Sequence, residues 1–259
     1  PNVISSELVA KFNVDPSGFG QFLGMYYIGY TIAHLPIGIF LDKCGPKIVL
    51  PTCIIMVICG GITPLIFADH WVYCLIGRFL LGAGSVAGAL GVFKISNTYF
   101  EGKGFARMSS IGIIIGLLGA MYGGLPLHVL FQDFGWTKSF VLIGVFGLSL
   151  ALLLFALIPK EDKSDLSGAN DNSIISGLLK ILCNKDVTLL ALFGGFLVAP
   201  LQGFADGWAT TFLMEVYGLD SDVASLLPST IFIGMCIGMF VLSLAPQSKY
   251  YDYMISCSV

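Results

Sequence analysis

The chain has 259 residues, 56% of them apolar and only 11% charged, with a mean hydropathy of +0.88, against about 25% charged residues in an ordinary soluble domain. A water-soluble fold of this size cannot hide so much apolar surface, and a net charge of −3 argues against nucleic acid as a partner. Continuous apolarity, rather than alternation in short pieces, predicts spanning helices and not barrel strands.

About 20 residues cross roughly 30 Å of hydrocarbon at 1.5 Å per residue. Residues 1–9, PNVISSELV, read as the outer end of a helix whose beginning is absent. The runs free of Asp, Glu, Lys and Arg are then 16–41, 48–68, 108–132, 139–159, 187–205 and 223–248, with a further run, 72–93, broken only by Arg78. The end, KYYDYMISCSV, looks like one more helix starting. Between the fifth and sixth runs, 160–186 begins as a flexible Ser/Asp/Asn linker. It ends with Ile174, Ile175, Leu178, Leu179 and Leu182 at the spacing of an amphipathic helix lying on the membrane. The expected organisation is an all-α, polytopic helix bundle: a first transmembrane bundle over 1–159, the linker over 160–186, and the start of a second bundle over 187–259.

Short cytoplasmic loops collect Lys and Arg. Ten bases fall on one side (Lys43, Lys47, Lys94, Lys103, Arg107, Lys160, Lys163, Lys180, Lys185 and Lys249) and only Lys11 and Lys138 on the other. The first side, with 160–186, is therefore expected to be cytoplasmic, and the protein multi-pass in a plasma membrane, in bacteria the inner one. Trp71 and Trp136 fall at outer helix ends, as belt anchors would. Tyr27-Ile28-Gly29 with Ile32 recurs 205 residues later as Phe232-Ile233-Gly234 with Ile237, an echo that would suit a whole protein of about 410 residues and about twelve spans.

The segment GIFLDKCGPKIVL, 38–50, resembles the cytoplasmic signature of the major facilitator superfamily (MFS) of secondary transporters through Gly38, Asp42, Lys43, Gly45 and Lys47. IGRFLLGAG, 76–84, resembles that family's Arg-centred motif through Arg78, Gly82 and Gly84. The resemblance implies a truncated two-bundle architecture in which the seven runs are the second through eighth helices. It also implies an alternating-access transporter for a small-molecule solute, and a gating clamp of Asp42, Lys43 and Lys47 whose docking helix lies beyond Val259. The antiporter signature fails, because Pro126 follows Leu125 instead of glycine, so symport is favoured over antiport.

Arg78 sits seven residues in from Trp71, about 10 Å deep. It reads either as a cavity-facing cation that contacts solute or tunes a proton site, or as a structural Arg bonded to carbonyls. Asp206, with Gln202 one turn earlier, is its natural counterpart; the alternative places Asp206 in a water-filled vestibule. Pro200, among Gly194, Gly195 and Gly203, weakens the same helix. Trp208 suits either the binding cavity or an interface anchor. Tyr27, Tyr30, Thr31 and His34 share one helical face, and His34 suits a proton relay or a hydrogen-bonded packing residue. Gly112, Gly116, Gly119, Gly123 and Gly124 read as close-approach packing positions.

A small polar, anionic solute is expected opposite Arg78, with a proton or another coupling ion and the lipid bilayer as the other partners. Seven cysteines in no metal-ligand spacing and no phosphate loop predict no cofactor and no metal. A channel or a membrane enzyme is the alternative, though His34, His70 and His128 are too scattered to build a catalytic centre.

Overall fold

The computed structural model describes residues 8, 12–67, 70–100, 103–123, 125–160, 180 and 183–244. The expected amphipathic helix and the final start of a helix lie outside the described residues. The described elements are helices: α1 (Pro16–Cys44), α2 (Pro46–Gly61), α3 (Thr63–Phe67), α4 (Trp71–Tyr99), α5 (Lys103–Tyr122), α6 (Leu125–Phe134), α7 (Trp136–Leu157), α8 (Lys185–Gln202), a π-helical turn (Gly203–Trp208), α9 (Ala209–Tyr217), α10 (Ser221–Leu226) and α11 (Ser229–Leu244).

Their ends follow local chemistry. Asp15 caps α1 by accepting a 2.9 Å bond from the Gly18 amide, with Pro16 in the first turn. The helix stops at Gly45, whose φ of 75° and ψ of 160° suit glycine alone and whose N–H donates to the Leu41 carbonyl at 3.1 Å. Gly45→Ala is therefore expected to cost about 1–3 kcal/mol, read as a lower thermal midpoint in detergent.

Among the described residues, six helical stretches are long and apolar enough to cross a membrane: Pro46–Phe67, Trp71–Tyr99, Gly104–Tyr122, Trp136–Leu157, Lys185–Ala205 and Ser221–Val241. The first of the seven runs lies within α1, which has the length, 29 residues, but its polar face of Tyr27, Tyr30, Thr31 and His34 dilutes its hydropathy. Several runs end or break differently from the charge-free stretches, three of them for plain reasons. The run 72–93 extends to Tyr99, because a Lys at a helix end keeps its ammonium in water while its stem continues the helix. The run 108–132 is two helices, parted where Gly123 and Gly124 precede Pro126. The run 223–248 jogs at Pro228, which has no N–H to donate.

Helix alternation gives the bundle a basic face with Lys43, Lys47, Lys94, Lys103, Arg107, Lys160 and Lys185, and an acidic face with Asp15, Asp133, Asp220 and Asp222. Helix α4 is central, packed on α1, α2 and α5; α2 also meets α7, and α5 meets α11. Glycines set the closest approaches. A Cβ on Gly82 would strike the Tyr26 carbonyl, one on Gly29 the Phe79 carbonyl, and one on Gly84 would lie 2.7 Å from the Cys53 carbonyl. Of the glycines expected to do this in α5, Gly112 does, since a Cβ there would strike the Val92 side chain, whereas Gly116 and Gly119 face open space.

Two apolar clusters result, one nearer the basic face around Ile37, Leu41, Leu50, Cys53 and Val86, the other nearer the acidic face around Phe19, Phe22, Leu65, Phe131 and Phe140. Large apolar side chains point outward from α7 and α8, Leu152 (71% exposed) and Phe196 (77% exposed) among them, as a lipid-facing surface requires.

Candidate functional site

Phe22, Tyr26, Tyr30 and His34 are four residues apart, so they stack along one side of α1. Arg78 of α4 meets the top of this row, its Cζ 4.9 Å from the Phe22 ring centre and 5.1 Å from that of Tyr26. A guanidinium over two aromatic faces gains roughly 0.5–2 kcal/mol from each, which holds the charge in place inside the bundle. Tyr26 stacks on Tyr30 at 5.9 Å, and Tyr30 meets His34 edge-on at 4.5 Å. The row thus runs about 12 Å along α1 from Tyr26 to His34.

The His34 ring is anchored by Nδ1, 2.8 Å from the Tyr30 carbonyl. A carbonyl only accepts, so Nδ1 carries the proton and donates. The geometry holds the imidazole against its own helix, as the packing alternative requires.

Above Arg78 the two expected belt tryptophans turn inward. Trp71 packs on Phe12 at 5.5 Å and Phe22 at 5.3 Å, and its buried Nε1 has no hydrogen-bond partner among the described residues. The Nε1 of Trp136 donates to the Leu65 carbonyl at 3.0 Å, and its ring lies against Phe131 and Phe140. Both serve the packing of the acidic-face cluster. Trp208 meets Phe19 edge-on at 6.2 Å, which brings the end of the π turn against α1. The side chains of Gln202 and Asp206 lie outside the described residues.

On the basic face the expected clamp residues find partners inside the chain. Asp42 pairs with Lys94 at 2.9 Å, which ties the end of α1 to α4. Lys47 donates to the Ile158 carbonyl at 2.9 Å and lies 5.3 Å from the Phe155 ring centre, so it caps the end of α7. Lys43 is exposed, Gly45 makes the turn, and a Cβ on Gly38 would rest in ordinary contact with Leu90. Since Asp42 is 58% exposed, the Asp42–Lys94 pair contributes at most about 1 kcal/mol. Lys94→Ala is accordingly expected to leave the thermal midpoint nearly unchanged while loosening the contact between the end of α1 and α4, measured as faster amide exchange near residues 40–44.

Sequence reasoning missed Phe22 and Tyr26, although the four-residue register from 22 to 34 was legible. It also missed that Asp42 and Lys47 reach partners 52 and 111 positions away. A groove of about 580 Å³ between α2, α4, α5 and α7 is lined by Leu50, Val57, Ile95, Ile111 and Leu154. It is too apolar for a polar solute, which would leave its hydrogen bonds behind on entering.

A helical bundle with six stretches long and apolar enough to cross a membrane among the described residues, one of them holding Arg78, defines the molecule as a multi-pass integral membrane protein. The Major Facilitator Superfamily model matches residues 1–252, and the chain belongs to that family. It is 26% identical over 234 residues to the "Hexuronate transporter" of Bacillus subtilis, covering 86% of this chain and 54% of that protein. It is 27% identical over 267 residues to the "Quinolone resistance transporter" of Acinetobacter baumannii, covering 90% and 58%. It is 22% identical over 236 residues to a protein of Pasteurella multocida named "Probable sugar efflux transporter", covering 88% and 58%. The chain therefore spans a little over half the length of these relatives.

Proposed function

We propose that the whole protein is a secondary active transporter that moves a small polar, anionic solute by alternating access, in symport with protons. The observation that carries this reading is Arg78, held between Phe22 and Tyr26 at the head of a row of hydroxyl and imidazole groups. A charge inside the bilayer is costly and marks a pathway or a binding site, and a planar guanidinium suits a carboxylate or phosphate. The relative named as a hexuronate transporter supports an acidic solute. The relatives named for efflux and for drug resistance make the direction of transport part of the proposal.

In this reading the helices before 160 and those after 186 form two bundles that rock about a midplane site. Asp206, on the π turn that interrupts its helix, exchanges a proton and pairs with Arg78 in one access state. Interrupted helices expose polar backbone, as a coupling site requires. The excess of lysines and arginines on one side supports a cytoplasmic position for the basic face and 160–186.

The test is solute uptake into proteoliposomes by the full-length protein. Uptake should saturate and should collapse when an uncoupler removes the proton gradient. Non-saturating flux would favour the channel reading, and uptake indifferent to the uncoupler would remove proton symport. Asp206→Asn should flatten the pH profile of transport, and a variant matching the parent in both rate and profile would remove Asp206 from the pathway.

A further inference from the structure

On the acidic face one imidazole joins α6 to α10, and so joins the helices before residue 160 to those after 184. The Nε2 of His128 lies 3.0 Å from Nε2 of Gln132 on its own helix and 3.3 Å from Oδ1 of Asp222 across the gap. With the amide nitrogen of Gln132 turned to the ring, one protonation state cannot make both contacts. An amide nitrogen only donates, so Gln132 needs a ring nitrogen with a lone pair; a carboxylate only accepts, so Asp222 needs a ring N–H.

We infer that His128 is a proton-operated latch on the acidic face. With Nε2 bare, the ring accepts from Gln132 and belongs to α6 alone. A proton added at Nε2 removes that lone pair, makes the ring a cation and turns the same atom into a donor toward Asp222. The amide of Gln132 then rotates to offer its oxygen or turns to water. Charge assistance makes the new bond about twice as strong as a neutral one. Imidazole is the side chain that changes charge around physiological pH.

The setting suits a switch. The His128 side chain is 18% exposed and that of Asp222 is 69% exposed, so the ring is sheltered while the carboxylate stays hydrated. The other ionisable groups on the neighbouring elements are Asp220 before α10, Asp133 on α6, Lys138 in the first turn of α7 and Tyr122 at the near end of α5, with Lys103 and Arg107 at the far end of α5. Among the described residues, Asp222 is the one within ion-pair distance of the ring. The Trp208–Phe19 contact crosses between the same two sets of helices near the same face. A protonated His128 therefore adds an ion pair beside an existing contact between the two sets of helices. The inference rests on the alternating-access reading for its consequence, a bias at low pH toward the state closed on the acidic face, but not for the contact itself.

Amide hydrogen exchange on the full-length protein in nanodiscs tests it without any solute. After correction for intrinsic rates, amides in 125–134 and 221–226 should exchange about two- to fivefold more slowly at pH 6 than at pH 8, as an ion pair with one exposed partner allows. His128→Lys, a fixed cation, should be slow at both pH values, and Asp222→Asn fast at both. A parent without the pH ratio, or variants that both keep it, would overturn the latch. Uptake with no pH-dependent protection would overturn the latch and leave transport standing, whereas protection without uptake would do the reverse.

Discussion

Arg78→Ala is expected to reduce solute uptake by the full-length protein at least thirtyfold. Removing one partner of a buried charged contact costs about 2–5 kcal/mol, and every 1.4 kcal/mol is a factor of ten. Arg78→Lys separates charge from shape. An ammonium keeps the positive charge but lacks the planar fork that lies over two rings and meets a carboxylate at two points. The lysine variant should therefore bind solute more weakly, with a raised KM and a turnover less affected. A purely structural Arg78 makes the opposite prediction: less folded protein, and an unchanged KM in what remains. Measuring KM, turnover and thermal midpoint together distinguishes these outcomes. Lysine rescue of the midpoint without rescue of KM would assign the residue to the solute.

The contrast between Arg78 and its surroundings shows what sequence carries and what it withholds. The position of the charge was legible, because an arginine in a 22-residue apolar run stands out against the cost of placing it there. Its holders were not, since Phe22 and Tyr26 are ordinary apolar residues of another helix until packing brings α1 against α4. The helix runs were read closely in their apolar middles, and poorly at ends that a long charged side chain or backbone chemistry decides. Thus α4 passes through Lys94, whose ammonium reaches Asp42, and the fourth run breaks after Gly123 with no charge nearby. The clamp residues show the same division. Gly38, Asp42, Gly45 and Lys47 announce a charged turn through their resemblance to the family signature, but their partners Lys94 and Ile158 depend on which helices are neighbours. The tryptophans were misjudged because position at a helix end does not say whether the ring turns to the lipid or to Phe22.

Packing at Gly82 carries the second large prediction. Gly82→Ala places a methyl group against the carbonyl of Tyr26, and no rotamer relieves the clash because both atoms belong to the helix frames. The helices must separate, at a cost of at least the 1–3 kcal/mol typical of overpacking. Because the carbonyl that yields is that of Tyr26, the separation also draws one of its two rings away from Arg78. Stability and transport should fall together, unlike the Arg78→Lys case, where KM moves alone. Gly88 on the same helix is the control. Nothing lies within 4 Å of a Cβ built there, so Gly88→Ala should raise the thermal midpoint through the roughly 1 kcal/mol advantage of alanine over glycine in a helix. Opposite signs for one added methyl group, six residues apart on α4, would locate the α1–α4 contact. Equal signs would show that the approach at Gly82 is not the constraint that sets the arginine in place.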